Sequence, residues 1–383
     1  MRPSFRVLLV AAALGSIPSL LAAQDSSDTA DTPGHWSLDV PVRGYGISFG
    51  NAARFTGIRF NWQDAGLDRI TGINITLWKP GQPVTGTVNG LSLGIAGPAA
   101  GELNGISIGV AGVVARRRAR WITIGGLGVV SQGGLDGLTL AGLGVVAQGS
   151  MRGIDLSGLG TVSQGGMSGV SVAGLGVVSQ GSMTGLGLAG LGVVSQGSMA
   201  GLFASGLGTV SQGNLDGASL SGMASVAQGD VRGAHLAGLA LVAQGEVTGI
   251  TASGLATVAQ GDVSGLNVGG LVVVAQGRTR GITVGGLAVV AERGTNGLTA
   301  AAYQVRTRRA AGITFAGINL KTSGMSGLSV SAFNQVRGVQ RGLSIGLLNY
   351  ARELHGLEIG LLNIARNNRP PFEVLPLFNL HGR

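Results

Sequence analysis

The sequence predicts an all-β repeat protein of about 22 tandem Gly-rich β-units, each 14–18 residues long, forming an antiparallel up-and-down closed β-barrel-like wall. The alternative is a β-solenoid with one 16-residue repeat per coil. Three observations lead there. From Gly137 to Gly297 a glycine recurs every 16 residues without a slip, and Gly142–Gly286 and Gln132–Gln276 keep the same step. Within a unit the period is two: Leu343, Ile345, Leu347, Asn349 and Ala351 alternate with Ser344, Gly346, Leu348 and Tyr350, the pattern of a strand. From Ile122 to Gly297 almost every ionisable residue sits in a turn, leaving walls of Gly, Ala, Val, Leu, Ser and Thr.

The elements follow in chain order. Residues 1–23 read as a secretory signal, with Arg2 and Arg6 before the apolar run Val7–Leu14 and the small-residue site Leu21-Ala22-Ala23. Gln24 stands where a lipoprotein needs Cys, and the chain contains no cysteine. Residues 24–43 are expected as a disordered leader, and 44–383 as one β-repeat domain. Gly57-Ile58-Arg59-Phe60, Gly72-Ile73-Asn74-Ile75, Gly90-Leu91-Ser92-Leu93 and Gly105-Ile106-Ser107-Ile108 open it. The regular block spans 121–297. Gly312, Gly327, Gly342 and Gly356 continue it with softer spacing. In the regular unit, Leu138 and Leu140 are followed by Ala141-Gly142 and then Leu143 and Val145. The apolar phase slips by one, which marks a β-bulge in one strand or the corner of a coil.

Charge favours the barrel. Numbered as strands from Gly44, the odd turns collect most of the arginines and the even turns are mixed. A meander puts odd and even turns at opposite ends, making a basic rim of Arg116, Arg117, Arg118, Arg120, Arg306, Arg308 and Arg309. That rim suits anionic lipid phosphates. The fixed step, the Gln ladder and the scarcity of aromatics favour the solenoid.

The units Gly342-Leu-Ser-Ile-Gly-Leu-Leu-Asn349-Tyr-Ala351 and Gly356-Leu-Glu-Ile-Gly-Leu-Leu-Asn363-Ile-Ala365 resemble a family of bacterial surface-repeat proteins. The family motif reads roughly G-x-Q-I-(A)-G-L-x-N-x-A, and members occur in spirochaetes and Bacteroidetes. Pro370-Pro371-Phe372 through Asn379 is similar to that family's ending, and Gly57–Asn61 to its opening. The resemblance implies export and an envelope or surface location, with no activity attached. In the middle of the chain Val145 and its equivalents stand in place of the family Asn.

Catalytic chemistry is not expected. Catalysis needs converging titratable groups, and His35, His235, His355 and His381 are scattered without metal spacing. Strings such as Gly185-Leu-Gly187 have no Lys-Ser/Thr after them and are not phosphate loops. Asp155 and His235 share one variable position of the repeat, and in a barrel they would line a polar lumen. The formal charge of +9 does not indicate nucleic acid, because the chain reads as exported and lacks a basic aromatic surface. The expectation is an exported, outer-membrane or cell-surface protein with no cofactor and no small-molecule substrate. It acts as a passive pore or envelope scaffold against outer-membrane lipid or lipopolysaccharide, or alternatively as a soluble surface adhesin or scaffold.

Overall fold

Glycine corners decide the architecture. In the computed structural model, which describes residues 36–42, 45–78 and 80–382, each 16-residue unit makes two strands. The long strand Met151–Ser157 leads through the corner Gly158–Leu159 into the short strand Gly160–Ser163. A second turn, residues 164–166, returns the chain to its start. The next long strand, Met167–Ala173, then lies beside the first in parallel, Met151 opposite Met167 and Ser157 opposite Ala173. Short strands stack likewise, Gly160 on Gly176. The chain is a β-solenoid of about 19 turns.

This overturns the antiparallel barrel in favour of its alternative. Among the described residues only the terminal pairs are antiparallel: Ser37–Val42 on Tyr45–Gly50, and Val374–His381 on Leu348–Ala365. Both are caps that cover the open edges of the parallel stack. The cause of the solenoid lies in mid-unit. A Cβ at Gly158 would sit 1.9 Å from the Gly142 carbonyl oxygen, and one at Gly142 would sit 2.0 Å from that of Gly126. Successive backbones touch there, so the slip in apolar phase is a corner and not a bulge. The other glycine column, Gly153 and its equivalents, combines φ of +121° with a Cβ position 2.1 Å from the Gly137 oxygen. Trp121 stands in that column at φ 83°.

Charge alternation has a different origin from two rims. All the Gln-side turns lie on one edge, where acids and bases of successive coils sit side by side. Arg232 reaches Asp216 at 3.7 Å, Arg280 reaches Asp262 at 3.1 Å and Arg118 reaches Asp136 at 3.4 Å. The acids also hold the next turn: Asp230 Oδ1 accepts from the Glu246 N–H and Asp262 Oδ1 from the Arg278 N–H, both at 2.8 Å.

Five positions of each regular coil point inward, as Met151, Asp155, Ser157, Thr161 and Ser163 do. Met151, Met167, Met183 and Met199 stack as a buried column at the start of the long strands. The facing positions 157 and 161 are matched in chemistry. Ser157–Thr161, Ser205–Thr209 and Ser253–Thr257 hydrogen-bond at 2.9, 3.1 and 2.8 Å. Where the first is Ala, as at Ala173, Ala189 and Ala237, the second is Val177, Val193 or Leu241. At these two facing positions hydroxyl thus meets hydroxyl and methyl meets methyl.

Beyond Gly297 the step shortens to 15 residues at Gly312, Gly327 and Gly342, and to 14 at Gly356. Strand geometry there runs on through the bends of nearly three coils, Gln304–Ile345, and a Cβ at the corner residue Gly317 would still lie 2.0 Å from the Ala302 oxygen. Here Asn334, Asn349 and Asn363 form a buried ladder, each Nδ2 donating to the next Oδ1 at 2.7 Å. The signal segment 1–23 and most of the leader 24–43 lie outside the described residues; the described end of the leader is the capping strand Ser37–Val42.

Candidate functional site

The long-strand sheet turns an apolar face outward. Two outward columns run up it, one through Ile47, Ile58, Ile154 and Leu202 to Leu357, the other through Phe49, Phe60, Leu156 and Leu220 to Ile359. Every position in both is Ile, Leu, Val, Phe or Ala. The face continues over both caps, where Val40 pairs with Ile47 and Phe378 with Ile359. Exposure is substantial: 58% for Leu202, 57% for Leu220 and 55% for Ile250. Soluble monomers rarely expose contiguous apolar patches beyond a few hundred Å², and this one runs the length of the stack.

Beyond the corner, a ridge of exposed Leu adds to it, from Leu127 through Leu143, Leu159 and Leu175 to Leu287, with Met223 in the series and Tyr303 at its end. A shallow trough lined by Val172, Leu188, Ala204 and the corner glycines Gly174, Gly190 and Gly206 separates face from ridge. The opposite margin of the face is polar. Within the regular block its outward column holds Arg120, Asp136, Arg152, Asp216, Arg232 and Arg280 among Ser, Thr, Asn and Ala, and further along it holds Arg341 and His355.

The arginines singled out in the sequence fall into two groups, twelve coils apart on the same Gln-side edge. The structure does not bring them together. Arg116 donates to Gln82 Oε1 at 3.3 Å, and Arg117 and Arg118 reach Glu102 and Asp136 at 3.5 and 3.4 Å. Arg120 is exposed beside Trp121, whose positive φ leaves its ring 72% exposed. Arg306 points outward from a short strand, and Arg308 and Arg309 lie at the following turn.

Asp155 and His235 lie in the packed interior between the two sheets; the solenoid has no barrel lumen for them to line. They belong to one inward file that runs from Ser48 and Arg59 through Asn74, Thr123, Thr139 and Asp155 to Asn267 and Thr299. Gly187 and Phe203 are its non-polar members, and they are fitted to each other: a Cβ on Gly187 would lie 2.9 Å from the Phe203 ring. Arg59 is neutralised by Asp64 at 2.6 Å. Burial raises the Asp155 carboxyl to about 6, against a lowering hydrogen bond from Thr139. Burial also lowers the His235 imidazole, whose Nδ1 lies 2.8 Å from Ser219 Oγ while Nε2 has no partner.

Sequence reading missed Glu358. It occupies the same file, both carboxylate oxygens are buried without a hydrogen-bond partner, and burial raises its pKa to about 8. Its signal was its place: an acid at the position that holds Ser344 and Ser329 in the preceding coils. The file is structural, since its members are enclosed and reach no trough. Among the described residues no group of three or more His, Asp or Glu is placed to hold a metal ion. Compared with known protein families, curated proteins and solved structures, the chain matches none.

Proposed function

We propose that the protein is an exported β-solenoid scaffold of the bacterial surface that engages its partner lengthwise, through the apolar long-strand face. The single observation carrying this reading is that face, unbroken by a polar residue in two columns from one cap to the other. A stack whose coils contact only their neighbours is a stiff rod, and a rod with one apolar side presents a long, flat binding surface. The resemblance of its terminal units to surface-repeat proteins and the signal-like residues 1–23 support export.

Cysteine labelling on intact cells tests location. Ser150, Ser182 and Ser198 lie on the same edge in different coils, so single Cys replacements there should all react from outside. Silence at all three places the rod in the periplasm and removes the surface reading.

A second reading concerns lipid. Arg116, Arg117, Arg118 and Arg120 beside exposed Trp121 combine cations with an interfacial aromatic, a pairing suited to anionic headgroups. Cosedimentation with anionic vesicles should fall with added salt and with Arg116→Glu/Arg120→Glu. Binding unaffected by both changes refutes it.

A further inference from the structure

We propose that the apolar face is covered by a second copy of this chain, two solenoids lying face to face and antiparallel about a two-fold axis between the rungs of Gly201 and Gly217. The proposal rests on the reading of that face as the scaffold's binding surface, and it names the partner.

Area is the first argument. About 20 rungs at about 4.8 Å, with two apolar columns about 7 Å apart, make a strip of about 1,200 Å² on each copy. Pairing buries about 2,400 Å² in total, within the range of obligate homodimers. Period is the second. Only a surface with the same rung spacing stays in step over the whole face, and a second copy has it by construction. A two-fold axis along the strands keeps each column over its counterpart, as an isologous interface requires.

Register supplies the third argument. Full overlap, the rung of Gly46 against that of Gly356, would set Arg120 of one copy against Arg280 of the other. A shift of one rung relieves this, setting the rung of Gly57 against that of Gly356 and, counting inward, the rung of Gly137 against that of Gly281. Beside the axis, Leu202 of one copy then faces Ala218 of the other, and Ala204 faces Leu220. One rung further out, Leu186 faces Ala234. In these three pairs a large side chain meets a small one, while Leu188 meets Leu236. At the polar margin the same register puts Asp136 opposite Arg280 of the other copy, twice by symmetry. It opposes no two like charges in that column: Arg120 meets Asn296, Arg152 meets Ser264, and Arg232 meets Thr184. Within its own chain Asp136 has Arg118 at 3.4 Å and Arg280 has Asp262 at 3.1 Å, so the crossed pair closes a four-charge group at each end. A bilayer needs no such pairing of positions.

The test uses the full mature chain without detergent. Sedimentation should give twice the chain mass at micromolar concentration. Leu202→Glu/Leu220→Glu/Ile250→Glu should halve that mass with the β circular-dichroism spectrum unchanged, because these side chains already face outward. Register is read by cross-linking between introduced cysteines. The chain has no cysteine, and residues 136 and 280 lie about 43 Å apart in one solenoid at about 4.8 Å per rung. Facing sheets pack about 10 Å apart, so a short bis-maleimide should join Asp136→Cys/Arg280→Cys into a covalent dimer, while each single variant should stay uncoupled. Asp136→Arg should weaken the dimer and adding Arg280→Asp should restore it.

A monomeric parent chain, or a dimer that fails to cross-link, overturns the proposal. A monomer that instead binds phosphatidylcholine vesicles, and loses them in the Glu variant, also overturns it while leaving the binding face in place. If the Glu variant alters neither mass nor binding of any kind, the scaffold reading of this face falls as well.

Discussion

Leu202 and Phe203 are neighbours in one long strand, the first 58% exposed on the outer face and the second 3% exposed in the interior. Around Leu202 the outward columns hold apolar residues alone, while around Phe203 the inward file holds Ser, Thr, Asn, Asp and His. That is the reverse of a soluble sheet, which puts polar residues toward water. The inner file pairs many of its polar groups with a neighbour one coil away, as Ser219 with His235 and Thr251 with Asn267. Its limits are size and pairing, not polarity. Water sets no such limits outside, yet the outer columns are uniformly apolar.

The largest expected effect tests the inner rule by size. Phe203→Ala opens a cavity beside Gly187, which has no side chain to fill it, and should cost about 3–5 kcal/mol of unfolding free energy. A shift in the urea midpoint measures it. A loss below about 1 kcal/mol would mean that the interior does not depend on matched volumes.

Next is the charge hidden in the same file. Burial raises the Glu358 carboxyl from its ordinary 4.5 to about 8, so the folded chain holds this proton more tightly than the unfolded one. The stability it contributes is full below pH 4.5, declines as pH rises, and is gone above about pH 8. At about 1.4 kcal/mol per pKa unit the loss is on the order of a few kcal/mol. Glu358→Gln should flatten the dependence of the melting temperature on pH between 5 and 8. A parent and variant with parallel profiles would show that the carboxyl is solvated. Asp155, raised from 3.8 to about 6, should add a smaller decline between those values.

Pairing across the core comes third. Val193→Thr puts a hydroxyl against Ala189 and should cost about 1–3 kcal/mol. Ser205→Ala should cost less alone than Val193→Thr, because it also leaves Thr209 the option of bonding to Ser221, 2.9 Å away. The combined Ser205→Ala/Thr209→Val variant leaves Ser221 with Ser225 at 3.0 Å and should be nearly neutral. Urea midpoints in all three that track total hydroxyl count would defeat the pairing rule.

These pairs show how much of the fold was legible. Ser157 with Thr161, and Ala173 with Val177, follow one another at a four-residue spacing that recurs with the repeat. That covariation marks two inward positions facing across a corner, which a single straight strand cannot produce, and it was open to sequence reading. The period, the strands, the terminal units and the file shared by Asp155 and His235 were also visible. The phase slip beside Gly142 did not by itself reveal the corner, because it fits both a bulge and a bend. The clash that separates them is between backbones of neighbouring coils, 2.0 Å from Gly142 to Gly126. Misplacing the corner turned one charged edge into two rims. The apolar face was visible as a wall, but the side of the sheet it belongs to depended on that corner.

The smallest effect is the sharpest check on the outer rule. Leu202→Ala removes a large side chain from a position with no neighbour above it, so the isolated chain should change by less than about 0.5 kcal/mol. Phe203→Ala, one residue along, also truncates a large apolar side chain, but one that points inward. If the two variants unfold at the same urea concentration when dilute, the face is not free in the single solenoid. If Leu202→Ala is neutral when dilute and destabilising when concentrated, its cost arises on association. The outward leucines then act through contact between molecules, while the inward file keeps the rod folded.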